Sequence, residues 1–186
     1  MTTRPWRAGA RYMTWMIAAV ATMMAVGCSG IGNAEKPDRT GRQQRNAEVV
    51  RDAFARGVGD QNSFYSILTD DVEWTVARAG RETTYSGREE FLRDGAGPIL
   101  ARLDGPIQAD VRDLVTEGDK VVAFWRGTAT ARDGQPYVND YVWAMTLRDE
   151  RVARVTAYLD FVVLDELLTR VTPADGATAH SAAARG

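Results

Sequence analysis

Between Ala109 and Asp160 the chain alternates apolar and polar side chains in four successive runs: Ala109–Thr116, Lys120–Ala131, Tyr137–Leu147 and Arg151–Asp160. Glu117-Gly118-Asp119, Arg132-Asp133-Gly134 and Arg148-Asp149-Glu150 separate them. A side-chain period of two is that of a strand with one buried and one exposed face. Connections this short join antiparallel neighbours only. The C-terminal half is therefore a meander, and its buried face needs a cover.

The cover lies upstream. Asn46–Arg56 places Val49, Val50, Ala53 and Phe54 on one face at helical spacing, and Gly57 is placed to end that helix. Phe64, Ile67 and Leu68 form a short second helix, and Val72–Val76 alternates as a strand. Ser86-Gly87-Arg88-Glu89 matches a capping box, in which Ser86 and Glu89 cap each other's backbone amides. The helix it opens carries Phe91 and Leu92, is interrupted at Gly95-Ala96-Gly97-Pro98, and resumes with Pro98 in its first turn through Leu103. A helical segment, Asp165–Arg170, follows the last strand. Helices ahead of a meander make an α+β domain, helices on one face of the sheet.

Four stretches in this order resemble the SnoaL-like, ketosteroid-isomerase-related branch of the nuclear-transport-factor-like fold. They are Leu68-Thr69-Asp70-Asp71-Val72-Glu73-Trp74, Tyr85-Ser86-Gly87-Arg88-Glu89-Glu90-Phe91-Leu92, Asn139-Asp140-Tyr141 and Tyr158-Leu159-Asp160. The resemblance covers about residues 46–171. It implies a cone-shaped shell: N-terminal helices packed on a curved antiparallel sheet, a deep apolar pocket inside, and a possible homodimer through the sheet's outer face.

In the third long run Tyr137, Asn139, Tyr141, Trp143 and Met145 share one face. Aromatics around one amide suit a pocket wall, where apolar surface gives affinity and one polar group gives orientation. They equally suit a plain core in which Asn139 bonds neighbouring backbone. Asn139, Tyr141, Trp143 and Tyr158, with Trp74 and Tyr85 from the family-like stretches, are the candidate ligand-binding residues. Trp125 and Arg126 point to opposite faces, so they cannot both line the pocket without a bulge, and which of them does is left open. Asp160 closes the last strand inside an apolar stretch, Tyr158 to Leu164. A carboxylate desolvated there would have a raised pKa, as a general base needs, and an acid at a comparable place serves some SnoaL-like enzymes. The alternative is that Asp160 caps the following helical turn or pairs with an arginine.

The residues exclude much chemistry. The single histidine is His180 and the single cysteine Cys28, both outside 46–171. Ser-His-Asp and Cys-His systems and His- or Cys-ligated metal sites are therefore unavailable to the domain; no metal or other cofactor is expected. Two family catalytic sets transfer poorly. Counting from Asp70-Asp71, the isomerase base falls near Val76, and Arg126-Gly127-Thr128 has threonine where epoxide-hydrolase-type enzymes carry an acid.

The N-terminus reads as an address. Met1–Arg11 holds three arginines and no acid, and Met13–Val26 is a mostly apolar run, shorter than the roughly 20 residues of a membrane-spanning helix. Ala25-Val26-Gly27-Cys28 resembles the lipobox of bacterial lipoproteins, although leucine is commoner at the place of Ala25. That resemblance implies removal of residues 1–27, lipidation of Cys28 and an exported protein anchored in the cell membrane. Residues 28–45, polar and rich in glycine, read as a flexible tether, and 172–186 as a disordered tail. Loss of Arg4, Arg7 and Arg11 leaves 20 basic against 25 acidic residues, a net charge near −5. Such a chain is a poor binder of nucleic acid. The first expectation is an envelope protein that binds a small hydrophobic ligand or a protein partner without catalysis. The alternatives are an enzyme of isomerase or cyclase type with Asp160 as base, and an accessory subunit docking a membrane complex.

Overall fold

The computed structural model describes residues 38–174. Cys28, the leader, most of the tether and His180 lie outside them. Helix α1 spans Arg39–Ala55. It begins before the Asn46 that apolar spacing predicts, because its first two turns are held by polar contacts. The Asp38 carboxylate accepts from the Gly41 amide at 2.8 Å, and buried Asn46 donates to the Gly118 carbonyl at 3.4 Å. Val50, Ala53 and Phe54 carry the apolar contact, and Gly57, at φ +76°, turns the chain out of the helix.

A single 3-10 turn, Phe64–Ile67, stands where a second helix is expected, and Leu68 already belongs to strand β1, Leu68–Val76. Strand β2, Thr83–Ser86, pairs antiparallel with β1. The following helix is shifted by one residue from the capping-box reading. Gly87, at φ +98°, occupies the cap position, and Glu90 rather than Glu89 reaches back to the Ser86 amide, at 2.6 Å. Helix α2, Arg88–Glu90, runs without a break into a π-helical turn, Phe91–Ala96, and then α3, Gly97–Leu100. Pro98 cannot donate to the carbonyl four residues back, and the ladder widens so that the Gly97 amide reaches Leu92.

The strands β3 (Gln108–Glu117), β4 (Lys120–Thr130), β5 (Pro136–Arg148) and β6 (Arg151–Leu159) form the meander, and α4, Phe161–Arg170, closes the domain. The sheet order is β2-β1-β6-β5-β4-β3. This corrects the cone-shaped, curved antiparallel sheet implied by resemblance. β6 lies beside β1 in parallel, so the sheet is mixed, and it is open, with β2 and β3 as free edges, neither closed nor strongly curled. Alternation reports which face of a strand is buried but not its neighbour, so the β1–β6 pairing left no trace in the pattern.

One face of the sheet, with Val121, Ala123 and Trp125 on β4, the odd-numbered residues of β5, Val155 and Ala157 on β6, and Val72 and Trp74 on β1, meets α1, the 3-10 turn and the π-helical turn. Nine aromatic rings interlock there. Trp74 stacks on Phe91 at 3.9 Å and Trp125 on Tyr141 at 4.1 Å, while Trp143 meets both tryptophans edge-on. Among the described residues no helix is long and apolar enough to cross a membrane.

Candidate functional site

The core does not fill the space between sheet and helices. A cavity of about 360 Å³ remains, within the range of small-molecule sites. Its floor is strand side chains: Trp74 and Val76 of β1, Trp125 of β4, Tyr141 and Trp143 of β5, Ala157 and Leu159 of β6. Its walls are Tyr65, Tyr85, the π-helical turn with Phe91 and Gly95, Ile99 and Leu100 of α3, and Phe161, Leu164 and Leu168 of α4.

The π-helical turn shapes the wall because it brings Gly95 against Tyr85. A methyl group at Gly95 would sit 2.8 Å from the Phe91 ring and 3.0 Å from the Tyr85 ring. Gly127 does the same under the floor, where a Cβ would come 2.7 Å from Ile107 and 2.9 Å from the Tyr141 ring.

Four of the candidate binding residues line this cavity: Trp74, Tyr85, Tyr141 and Trp143. The open question between Trp125 and Arg126 is resolved as well. Trp125 is inward and 2% exposed, and its Nε1–H has no acceptor among the described residues. Arg126 is outward, in a two-point ion pair with Asp140 at 2.8 and 2.7 Å.

The other three candidates are placed elsewhere. Tyr158 projects from the outer face, 51% exposed, beside Phe124 and Val142. Asn139 is buried but faces backbone. Its Nδ2 donates to the Asp160 carbonyl at 2.9 Å, and its Oδ1 accepts the Asp160 amide at 3.0 Å. The same Nδ2 reaches the Tyr137 hydroxyl at 3.2 Å, which lies 2.8 Å from that of Tyr141. The Asp160 side chain is exposed and caps α4, accepting from the Val162 amide at 2.8 Å. It is not part of the cavity lining. The alternation stops at Leu159 and α4 starts at Phe161, so the apolar run around Asp160 is a strand end joined to a helix start.

The phenols of the site are donors. Burial, with Tyr137 adding, pushes Tyr141 well above an ordinary phenol, and burial does the same to Tyr65. Tyr85 is raised by its partial burial and then by Asp94 and Glu90. The ionised groups of the lining are Arg78, half-buried, and Arg81 and Asp94, both exposed. Arg78 donates Nη1 to Asp165 Oδ1 at 3.1 Å, and that bond holds the Asp165 carboxyl below the usual range. Asp94 accepts from Arg93 at 3.0 and 2.7 Å. Among the described residues no cluster of three potential ligands could hold a metal ion. Sequence reasoning missed Tyr65, Arg78, Arg81, Asp94 and all of α4's contribution. The π-helical turn's Gly95-Ala96-Gly97-Pro98 was the one legible signal near them.

The profile of the SnoaL-like domain matches residues 38–155. No curated protein matches the chain. Among solved structures it is similar to a protein provisionally assigned as a SnoaL-like polyketide cyclase from Jannaschia sp. CCS1, with TM-score 0.57, 19% identity, and 73% of this chain and 99% of that chain covered. A protein provisionally assigned as an isomerase from Bacillus subtilis gives 0.56 at 17% identity, covering 68% of this chain and 94% of that chain. TerC co-crystallised with polyporic acid gives 0.53 at 24% identity, covering 67% and 98%. At these identities the likeness is one of fold.

Proposed function

The chain belongs to the SnoaL-like domain family, and from that premise we propose that it binds a small hydrophobic molecule in the cavity between sheet and helices, without catalysis. The observation that carries this reading is the lining: eight aromatic side chains and a set of aliphatic ones around open space, with Arg78, Arg81 and Asp94 as its only ionised groups. Desolvating such a wall is favourable by about 25 cal/mol per Å² of apolar area covered, and its neutral phenols orient a ligand without titrating. That one neighbour in fold, TerC, was co-crystallised with polyporic acid is consistent with use of this fold to hold a small molecule.

The test is tryptophan fluorescence of the full chain titrated with N-phenyl-1-naphthylamine, since Trp74, Trp125 and Trp143 all line the cavity. Thr83→Trp places a bulky ring on the exposed part of the lining and should abolish saturable quenching. Quenching that is unchanged in that variant would sink the reading.

A catalytic reading of isomerase or cyclase type has one observation in its favour. Asp94 lines the cavity close enough to Tyr85 to raise its pKa. It needs turnover that Asp94→Asn abolishes and Asp160→Asn spares.

Two further proposals concern location and assembly. Cys28 is the lipid attachment point that tethers the domain to the cell membrane; Cys28→Ser should remove the acyl mass and release the chain from membranes. The outer sheet face, where Phe124, Val138 and Tyr158 are exposed, pairs with a second copy of the chain. Sedimentation should then show a dimer that Val142→Glu dissociates.

A further inference from the structure

Charge around the cavity is uneven. Three ionised groups belong to the lining: Arg78, Arg81 and Asp94. Asp94 is engaged by Arg93, and Arg78 is held by Asp165 with its guanidinium 4.6 Å from the Phe161 ring centroid. Arg81 differs from both. Among the described residues its side chain has no hydrogen bond and no salt bridge; the acid it influences, Asp165, is already committed to Arg78. It stands just after Gly80, whose φ of +71° turns the β1–β2 connection, and it is an exposed member of the cavity lining.

Resting on the binding reading above, we propose that the ligand is an amphipathic anion: a flat apolar body seated against Trp74, Phe91 and Trp143, with one acidic oxygen group at the mouth facing Arg81 beside Arg78. Three physical points support the orientation. A guanidinium presents paired donors that match a carboxylate or sulfonate. An ionised group left at the mouth keeps part of its hydration, while at the aromatic floor it would lose all of it. An aromatic cage by itself would favour a cation, but Arg78 and Arg81 at the entrance repel one. The apolar body is set by the lining, where Trp74, Phe91 and Trp143 present aromatic surface to the cavity.

Two dyes with the same aromatic body separate the terms. 8-Anilinonaphthalene-1-sulfonate carries an anionic group, and N-phenyl-1-naphthylamine carries none. Both are titrated against the full chain, and pocket binding is the part of the signal that Thr83→Trp removes. The sulfonate should bind about tenfold tighter than the neutral dye at low salt, a gap of about 1.4 kcal/mol. Salt should narrow the gap. Arg81→Gln should remove most of it while leaving the neutral dye's affinity and the melting temperature unchanged. Equal affinity for the two dyes overturns the inference and leaves the binding reading standing, as does an Arg81→Gln variant that weakens both alike. A naphthalene dye bearing a trimethylammonium group that binds tighter than the sulfonate overturns it in favour of the cage. No pocket signal from any dye overturns both.

Discussion

Replacing Asn139 by alanine tests whether the most ligand-like polar residue of the inner face is a structural clamp. In the folded chain its amide closes a two-point contact on the backbone of Asp160, at 2.9 and 3.0 Å, and touches the Tyr137 hydroxyl at 3.2 Å. Each such bond contributes about 1 kcal/mol net, and burying an unpaired partner costs about 1–3 kcal/mol. The Asp160 backbone is near solvent and recovers some hydration, whereas the Tyr137 hydroxyl, at 1% residue exposure, keeps only its bond to Tyr141. The loss should be about 2–3 kcal/mol, or a fall in Tm of roughly 4–12 °C at about 2–4 °C per kcal/mol for a domain of this size. Urea unfolding followed by tryptophan fluorescence reads it directly, with an unchanged slope as the sign that the mutation acted on the folded state. Asn139→Asp should be as damaging, because a carboxylate cannot donate to the Asp160 carbonyl. A change below about 0.5 kcal/mol in either variant would refute the clamp and return Asn139 to the ligand.

Asp160→Asn should alter stability by no more than a few tenths of a kcal/mol, since asparagine caps a helix as well as aspartate, while Asp160→Ala should cost about 1 kcal/mol; thermal melts of the two side by side check this. Gly127→Ala should cost about 1–3 kcal/mol, because the new methyl would lie 2.7 Å from Ile107 and 2.9 Å from Tyr141; a variant as stable as wild type refutes that packing. The turn Arg148-Asp149-Glu150-Arg151 holds Asp149 at φ +52° and Glu150 at φ +60°, so Asn-Gly at those two places should raise stability by about 0.5–1 kcal/mol in the same melts. Buried Tyr65, Tyr137 and Tyr141 all have folded pKa values above the ordinary 10.0. Above that pH the unfolded chain loses phenolic protons that the folded chain retains, so stability falls as pH rises. The slope approaches about 1.4 kcal/mol per pH unit for each phenol, so urea midpoints measured between about pH 9 and 11 should fall increasingly fast as pH rises.

The meander was legible because period-two alternation and short turns are local facts: the ends of β3 to β6 fall within a residue or two of the runs that announced them. The aromatic face of β5 was legible for the same reason, whereas Trp74 and Tyr85 were singled out only by the family-like stretches that hold them. What failed depended on long-range pairing or on polar contacts. The parallel β1–β6 neighbourhood joins residues far apart in sequence, and nothing in either strand's pattern encodes it. The first turns of α1 lack apolar periodicity because Arg42, Arg45 and Asn46 dock on the β3–β4 and β5–β6 turns through ion pairs and a hydrogen bond. Arg78 and Arg81 sit in the connection between β1 and β2, which carries no periodic pattern to read, and they reach the cavity because β2 folds back on β1.

Asp160 shows why an apolar neighbourhood in sequence is weak grounds for a buried carboxylate. Its neighbours are apolar for two unrelated reasons. Leu159 ends a strand and faces the cavity, whereas Phe161 and Leu164 begin a helix that walls the same cavity from the opposite side. Between them the chain must stop pairing as a strand and leave the first amides of α4 without helical partners. Asn139 takes the backbone of that junction and the Asp160 carboxylate takes the helix amides, so two polar side chains resolve one problem. The helix is then fastened along its length by Arg78 on Asp165 and by Arg170 on Asp133. A wall tied at both ends and in the middle is poorly suited to swing outward. Under the proposed binding role, ligand exchange would be left to the side of the cavity that carries Thr83, Tyr85 and Arg81, where the wall consists of an edge strand and a turn.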